Sequence, residues 1–224
     1  ALSSTRGPSA TAFYINDWIR RSPVRVKEAM RPDITALRLM NWSAAMPGIL
    51  PTLERREIDV IRQALSQQSK YLARCMDEES DGVRRLTAAF GLAYAGLAFS
   101  GDGKWVRQGV EVILRDLRRQ ILSDGGHVSR SPAVLADILH HVLVLEAAMH
   151  ARGVQVPGSL EETRKRMQAM LALVCHSDGG LGLFNGATAR SAAEIAPLLV
   201  GSNSKNVMSY AQRSGYQRVA CGKL

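Results

Sequence analysis

The stretch DGGHVSRSP, residues 124–132, gathers a histidine, an arginine and two serines in a segment loosened by glycine. His127 could bind a ligand or move a proton, and Arg130 could hold a carboxylate or sulfate with its planar fork of donors. The plainer reading is a structural turn whose polar side chains cap the adjoining helices. A second stretch, DGGLGLFNG (178–186), sets Asn185 near the end of its loop. Its amide could meet sugar hydroxyls or steady developing charge, or the loop could be a turn anchored by Leu183 and Phe184. His140 and His141 are neighbours in a helical pattern and diverge by roughly a quarter turn. Two metal ligands on one helix need i and i+4 spacing instead. His150 and His176 fall near helix C-termini, where they suit the helix dipole. The chain has no GxSxG, no Walker loop, no GxGxxG ahead of a helix and no HExxH. Neither a metal nor a cofactor is expected.

Such loops need helices to hold them. Residues 10–21 read as a helix that Pro23 stops. Asp33, after Pro32, can accept first-turn N–H groups and open a second helix, which Pro47-Gly48 should break. A long helix covers about 53–77, with Ile58, Ile61, Leu65 and Leu72 in one stripe, followed by an acidic turn from Asp77 to Gly82. Residues 83–99 are apolar on nearly every side, and their alanines and glycines admit close neighbours, so this is an inner helix. After the turn Gly101-Asp102-Gly103, helical spacing resumes over 104–122. Ser131-Pro132 is a capping start for the next helix, which runs to Arg152-Gly153. Ser159 can cap another, with Glu161 and Glu162 in its first turn, ending at His176. A short helix at about 190–200 and a helical fragment at 204–211 follow. SGYQRVACGKL then switches to alternation and reads as a strand with nothing here to pair with. SDGG occurs at 123–126 and again at 177–180, each time after a long helix, which fits a repeated helical hairpin. Asp-Gly-Gly is also common helix-stop chemistry.

The 224 residues are 46% hydrophobic, 22% charged and only 5% aromatic, which excludes a disordered, fibrous or all-β chain. No uninterrupted apolar run of about 18 residues occurs, so no helix is expected to cross a bilayer. The start, ALSSTRGPSA, reads as a fragment boundary or a processed end rather than a signal peptide. Cys75, Cys175 and Cys221 have no CxxC spacing and make neither a zinc site nor a disulfide framework, and Cys75 and Cys175, in helical patterns, read as buried free thiols. The net charge of +9 admits a polyanionic partner, although charge alone favours a solvated basic surface. Many of the cations fall in arginine pairs (Arg20-Arg21, Arg55-Arg56, Arg84-Arg85, Arg118-Arg119) at helix surfaces rather than in one dense tract. No basic stretch is interleaved with aromatics, so nucleic acid is an unlikely partner.

Several phrases together resemble the heparinase II/III-like proteins, in particular an alphaproteobacterial branch. They are INDWI (15–19), RPDITALRLMNW (31–42), DGVRRLTAAFGLAYAGLAF (81–99), RRQILSDGGHVSRSPAVL (118–135), DGGLGLFNG (178–186) and SGYQRV (214–219). The QIL-DGGH-x-x-R-SP block is the most specific. The resemblance implies an all-α fold: an incomplete (α/α) toroid of antiparallel helical hairpins over 1–212. Residues 213–224 would then be the linker or first strand of a C-terminal β-sandwich domain.

Characterised relatives are lyases that cleave uronic-acid polysaccharides by β-elimination. The uronate carboxylate is neutralised, C5 loses its proton to a base, and the leaving oxygen at C4 is protonated. The resemblance therefore implies an acidic polysaccharide as partner, with His127, Arg130, Asn185, Trp42 and Arg84 as substrate-binding candidates. It suggests the periplasm or cell envelope as compartment. Two departures stand out. Val83-Arg84 replaces an Asn-His pair often found before the inner helix, and Ala133-Val134-Leu135 lacks the tyrosine that often follows Ser-Pro. No complete acid/base set can be assembled, and this chain alone is expected to be inactive. The alternative is a non-catalytic protein that binds acidic glycans, or a basic helical scaffold.

Overall fold

The computed structural model describes residues 7–21, 28–79, 82–99, 103–201 and 208–219. Pro23, Asp102, Cys221 and residues 204–207 of the expected helical fragment lie outside them. The chain is helical nearly throughout, in the class expected, and divides into two compact units, Ala1–Ile113 and Leu114–Leu224.

The first unit holds α1 (Pro8–Arg21), α2 (Pro32–Ile49), α3 (Arg55–Cys75) and α4 (Val83–Phe99). It also takes the first half of α5 (Lys104–Gln120). Helix α4 is the inner helix that its composition called for: Leu86, Ala88, Ala89, Phe90, Leu92, Ala93 and Ala95 are all buried. Gly91 is the reason α2 can lie so close, because a β-carbon there would overlap the backbone and side chain of Ala36. Asp33 in the first turn of α2 pairs with Arg84 in the first turn of α4, so these two packed helices begin at the same end. Helix α3 opens with a capping box that joins Glu54 and Glu57.

Pro47 does not end α2, which runs on to Ile49. The proline removes one i→i−4 hydrogen bond, but it stands only two residues from the helix end. Ile49, 2% exposed, contributes about 1.5–3 kcal/mol through burial. Asp33 does not cap α2 from outside. It lies within the first turn, its carboxylate held by Arg31.

The second unit holds the end of α5, then α6 (Pro132–Ala151), α7 (Gly158–Val174), the one-turn α8 (Ala192–Ile195) and a hairpin. The hairpin pairs β1 (Tyr210–Ala211) with β2 (Tyr216–Gln217). Helices α6 and α7 pack as a hairpin joined by six residues, and α8 begins with a Ser191–Glu194 capping box. Ser131 makes no capping bond, although Pro132 does fill the first helical position. Ser159 lies inside α7 rather than ahead of it. The terminal segment does have a partner: Tyr216 and Gln217 pair with Ala211 and Tyr210, which had been expected to be helical. The turn from Gln212 to Gly215, with φ +72° at the glycine, closes that pairing locally.

Helix α6 is long and apolar enough to cross a bilayer by length and composition, with a mean hydropathy of 1.5. The uninterrupted-run criterion passed over it. However, 56% of that stretch is buried inside the protein. It also carries Glu146, buried beside Arg164 of α7, as a core helix can when the charge is paired.

Candidate functional site

The two SDGG segments form the same structure. After α5, Ile121 bridges His127, Leu122 N–H donates to the Gly126 carbonyl, and Gly125 takes φ +89°. After α7, Cys175 bridges Leu181, His176 N–H donates to the Gly180 carbonyl, and Gly179 takes φ +82°. In each, the aspartate accepts the N–H two residues on: Asp124 from Gly126 at 3.2 Å, Asp178 from Gly180 at 2.8 Å. The repeat seen in the sequence is a repeated tight turn.

The copies differ in what they hold. Asp124 Oδ2 accepts the Ser214 N–H at 2.6 Å, and Oδ1 accepts the Ser214 hydroxyl at 2.7 Å. Arg130 donates from Nε (2.8 Å) and a terminal nitrogen to the Ser214 carbonyl. One loop thus grips every polar group of a single serine in the hairpin turn. Glycine is required at 126, where a β-carbon would strike the Ser214 hydroxyl, and at 215, where it would strike the Arg130 guanidinium. Burial alone would raise the Asp124 carboxyl. The Ser214 backbone and hydroxyl bonds outweigh it and hold the group below the usual carboxylate range.

His127 is 4% exposed, with Nδ1 2.7 Å from the Ser129 hydroxyl and Nε2 3.2 Å from Gln120 Oε1. Burial pushes its imidazole down to about 4, so it is neutral at neutral pH and its ring anchors the loop. Arg130 and Asn185 both have left-handed backbone, φ 59° and 50°. Asparagine tolerates this, whereas arginine there is strained and must be held by its surroundings. The Arg130 carbonyl accepts the Tyr216 hydroxyl (2.7 Å) and the Asn185 amide (3.0 Å), and that amide also donates to the Tyr216 oxygen at 3.0 Å. The Tyr216 ring lies against Phe184, and the Arg130 guanidinium sits 5.6 Å from its centre. Arg130, Asn185, Val128 and Ser129 face solvent. Inside, the loop encloses a void of about 10 Å³, room for one water at most and not for a sugar.

Three of the five sequence candidates, His127, Arg130 and Asn185, therefore converge in the second unit. Trp42 and Arg84 belong to the first. Trp42 is 8% exposed and packs edge to face on Trp18 at 5.2 Å, beside which Arg38 stacks on the Trp18 ring at 4.1 Å. Its position is that of a core residue. Arg84 is 63% exposed and lies 3.9 Å from Asp33, a carboxylate that Arg31 holds more closely. Asp124, Gln120, Ser214 and Tyr216 were missed. The recurrence of SDGG was the available signal for Asp124, and Tyr216 lies in the SGYQRV phrase. Nothing local marks Ser214. Among the described residues no cluster of three metal-ligating side chains occurs.

No protein-family model matches the chain. The sequence is 24% identical over 211 residues to FtsZ-localized protein C of Caulobacter vibrioides (strain NA1000 / CB15N), covering 94% of this chain and 36% of that protein. Its structure is similar to that of heparinase III, with a TM-score of 0.68 and 17% identity over 94% of this chain and 36% of that one. It is also similar to the heparan sulfate lyase HepC from Pedobacter heparinus (TM-score 0.64, 19% identity, 82% and 30% covered). The fold is heparinase-like, and the chain spans about a third of the length of these relatives.

Proposed function

We propose that this chain is the substrate-binding helical region of a lyase-like protein that acts by β-elimination on uronic-acid polysaccharides. The observation that carries this reading is the likeness to heparinase structures over most of the chain, together with two matching turns that bear its exposed polar residues. Arg130, Asn185 and Arg84 would meet the acidic glycan. His127 would act from beneath by fixing the loop, and Trp42 by fixing the first unit. The basic balance suits an anionic polymer. Residues 1–212 would form the toroid part and 213–224 would lead into a β-sandwich domain, in the periplasm or cell envelope. The chain alone would be inert, because His127 has both ring nitrogens engaged and no complete acid/base set can be assembled from its residues.

A second reading is glycan or protein binding without cleavage. It draws on Val83-Arg84 and Ala133-Val134-Leu135, where lyase-like residues are missing, and on the likeness to a protein named for FtsZ rather than for a lyase. Ultraviolet absorbance of newly formed unsaturated uronate, measured on alginate, heparin and heparan sulfate, separates the two. The chain is assayed beside its full open reading frame. Signal from the full protein only supports the lyase reading, and silence from both on every glycan sinks it.

A further inference from the structure

Asn185 spends both hydrogens of its amide on the chain, one on the Arg130 carbonyl and one on the Tyr216 oxygen, each at 3.0 Å. The carbonyl can only accept, so the amide nitrogen must face it and Oδ1 must face away. Among the described residues Oδ1 has no partner, and the residue is exposed. Asn185 therefore offers a ligand an acceptor and no donor. Ser129 reaches the same polarity by another route. Its backbone N–H donates to His127 Nδ1 at 3.0 Å, which places the ring proton on Nε2, against Gln120 Oε1. The Ser129 hydroxyl, 2.7 Å from Nδ1, must then donate to it, while its oxygen accepts the Ser131 N–H at 3.2 Å. What this exposed hydroxyl retains is a lone pair. Arg130 is the opposite: Nε and one terminal nitrogen hold the Ser214 carbonyl, leaving the other terminal nitrogen as a donor. Val128, 50% exposed, and Leu183, 62% exposed, add one apolar side chain to each turn.

We infer that Ser129 and Asn185 bind sugar hydroxyls, accepting their O–H groups at Ser129 Oγ and Asn185 Oδ1, and leave the sugar's carboxylate to Arg130. The inference rests on the glycan reading above and names the groups of the sugar that these two turns read. Lone pairs repel the oxygens of a carboxylate or sulfate, so both positions disfavour an anionic group. The Asn185 amide does not steady developing charge, since both of its hydrogens are committed. Ser129 is thereby a binding residue, and specificity at these two positions lies in hydroxyl donors rather than in charge.

The test is calorimetric titration of the full chain with two forms of one unsulfated mannuronate trisaccharide. One is the free sugar, and the other has its hydroxyls methylated and its carboxylates free. Methylation removes the hydroxyl donors and keeps the oxygens and the charge. Each hydroxyl bond should be worth about threefold to tenfold, so the free sugar should bind about tenfold tighter or more. Asn185→Gly keeps the left-handed backbone and should shrink that ratio by about threefold or more. Ser129→Ala should shrink it by a similar factor. A loosened loop would lower both affinities together and leave the ratio in place, so the ratio separates contact from structure. Equal affinity of the unaltered chain for the two sugars, or an unchanged ratio in either variant, overturns the inference and leaves glycan binding standing. No binding of either sugar overturns the inference and the glycan reading together. Cleavage is read separately by unsaturated uronate, so a protein that passes this titration and cleaves nothing sinks only the lyase reading.

Discussion

Asp124 and Asp178 occupy the same position in two copies of one turn, which makes Asp124→Ala and Asp178→Ala a matched experiment. Both substitutions remove an aspartate that accepts an N–H two residues on. Only Asp124 also holds the Ser214 N–H at 2.6 Å and its hydroxyl at 2.7 Å. A hydrogen bond to a charged group contributes about 1.5–3 kcal/mol, and an ordinary exposed one about 0.5–1.5 kcal/mol. Asp178→Ala should therefore cost about 1 kcal/mol. Asp124→Ala should cost about 3 kcal/mol more, concentrated on the hairpin rather than spread over the helices. Amide exchange of the hairpin is the assay, read at Ser214 and at Arg218, whose N–H donates to the Ser209 carbonyl. About 3 kcal/mol of lost local stability corresponds to exchange faster by roughly 100-fold. The carboxylate's contribution is present above about pH 4 and is lost as pH falls through its depressed native value, so the two variants should converge in strong acid. If hairpin exchange in Asp124→Ala matches that in Asp178→Ala at neutral pH, the Ser214 grip does not hold the hairpin.

Four further outcomes follow from features of the two units. Gly91→Ala forces a methyl into Ala36 and should lower the melting temperature by about 5–10 °C, on a cost of about 2–3 kcal/mol. Gly48→Ala, with open space around it near the end of α2, should raise stability by up to about 1 kcal/mol in a urea titration. His127 titrates near 6.5 unfolded and at about 4 folded, so the unfolded chain binds the extra proton. That stability is complete above pH 6.5 and falls by about 2 kcal/mol by pH 5. In urea midpoints at pH 8 and pH 5, His127→Gln should flatten that part of the slope, leaving the share owed to His141, which burial also lowers to about 4. Arg164→Met should cost about 3 kcal/mol by leaving buried Glu146 unpaired, and adding Glu146→Leu should recover most of it in thermal unfolding.

The helices were legible because each writes its burial into its own periodicity: α4 in alanine, glycine and leucine, α5 in a single apolar stripe. Boundaries were less so. Pro47 looked like a stop, but the burial of Ile49 three-dimensionally outweighs one lost backbone bond. The capping boxes at Glu54–Glu57 and Ser191–Glu194 were present as local patterns and went unread. In the loop, the sequence indicated His127, Arg130 and Asn185 by residue type. It did not reveal that the Arg130 guanidinium and the Asn185 amide, though exposed, are bonded to the chain itself, because Arg130 meets a backbone carbonyl 84 residues away. A carbonyl is present at every position, so composition carries no trace of that partner. The expectation of an unpaired terminal strand failed for a related reason: Tyr210–Ala211 looks helical locally and becomes a strand only when the Gln212–Gly215 turn brings Tyr216 back beside it.

The grip on Ser214 also has a timing. Asp124 is made 90 residues before the serine it holds, which at about 5–20 residues per second is roughly 5–18 s of synthesis. Throughout that interval the tight turn, the helix before it and the helix after it can all form, while the aspartate and the arginine are still hydrated. The loop is therefore finished last, and by a segment other than its own. Whether Arg130 is engaged reports that the chain has been synthesised past residue 214, so a ribosome-stalled product ending before the hairpin would carry the same helices with a loop of different chemistry at their end.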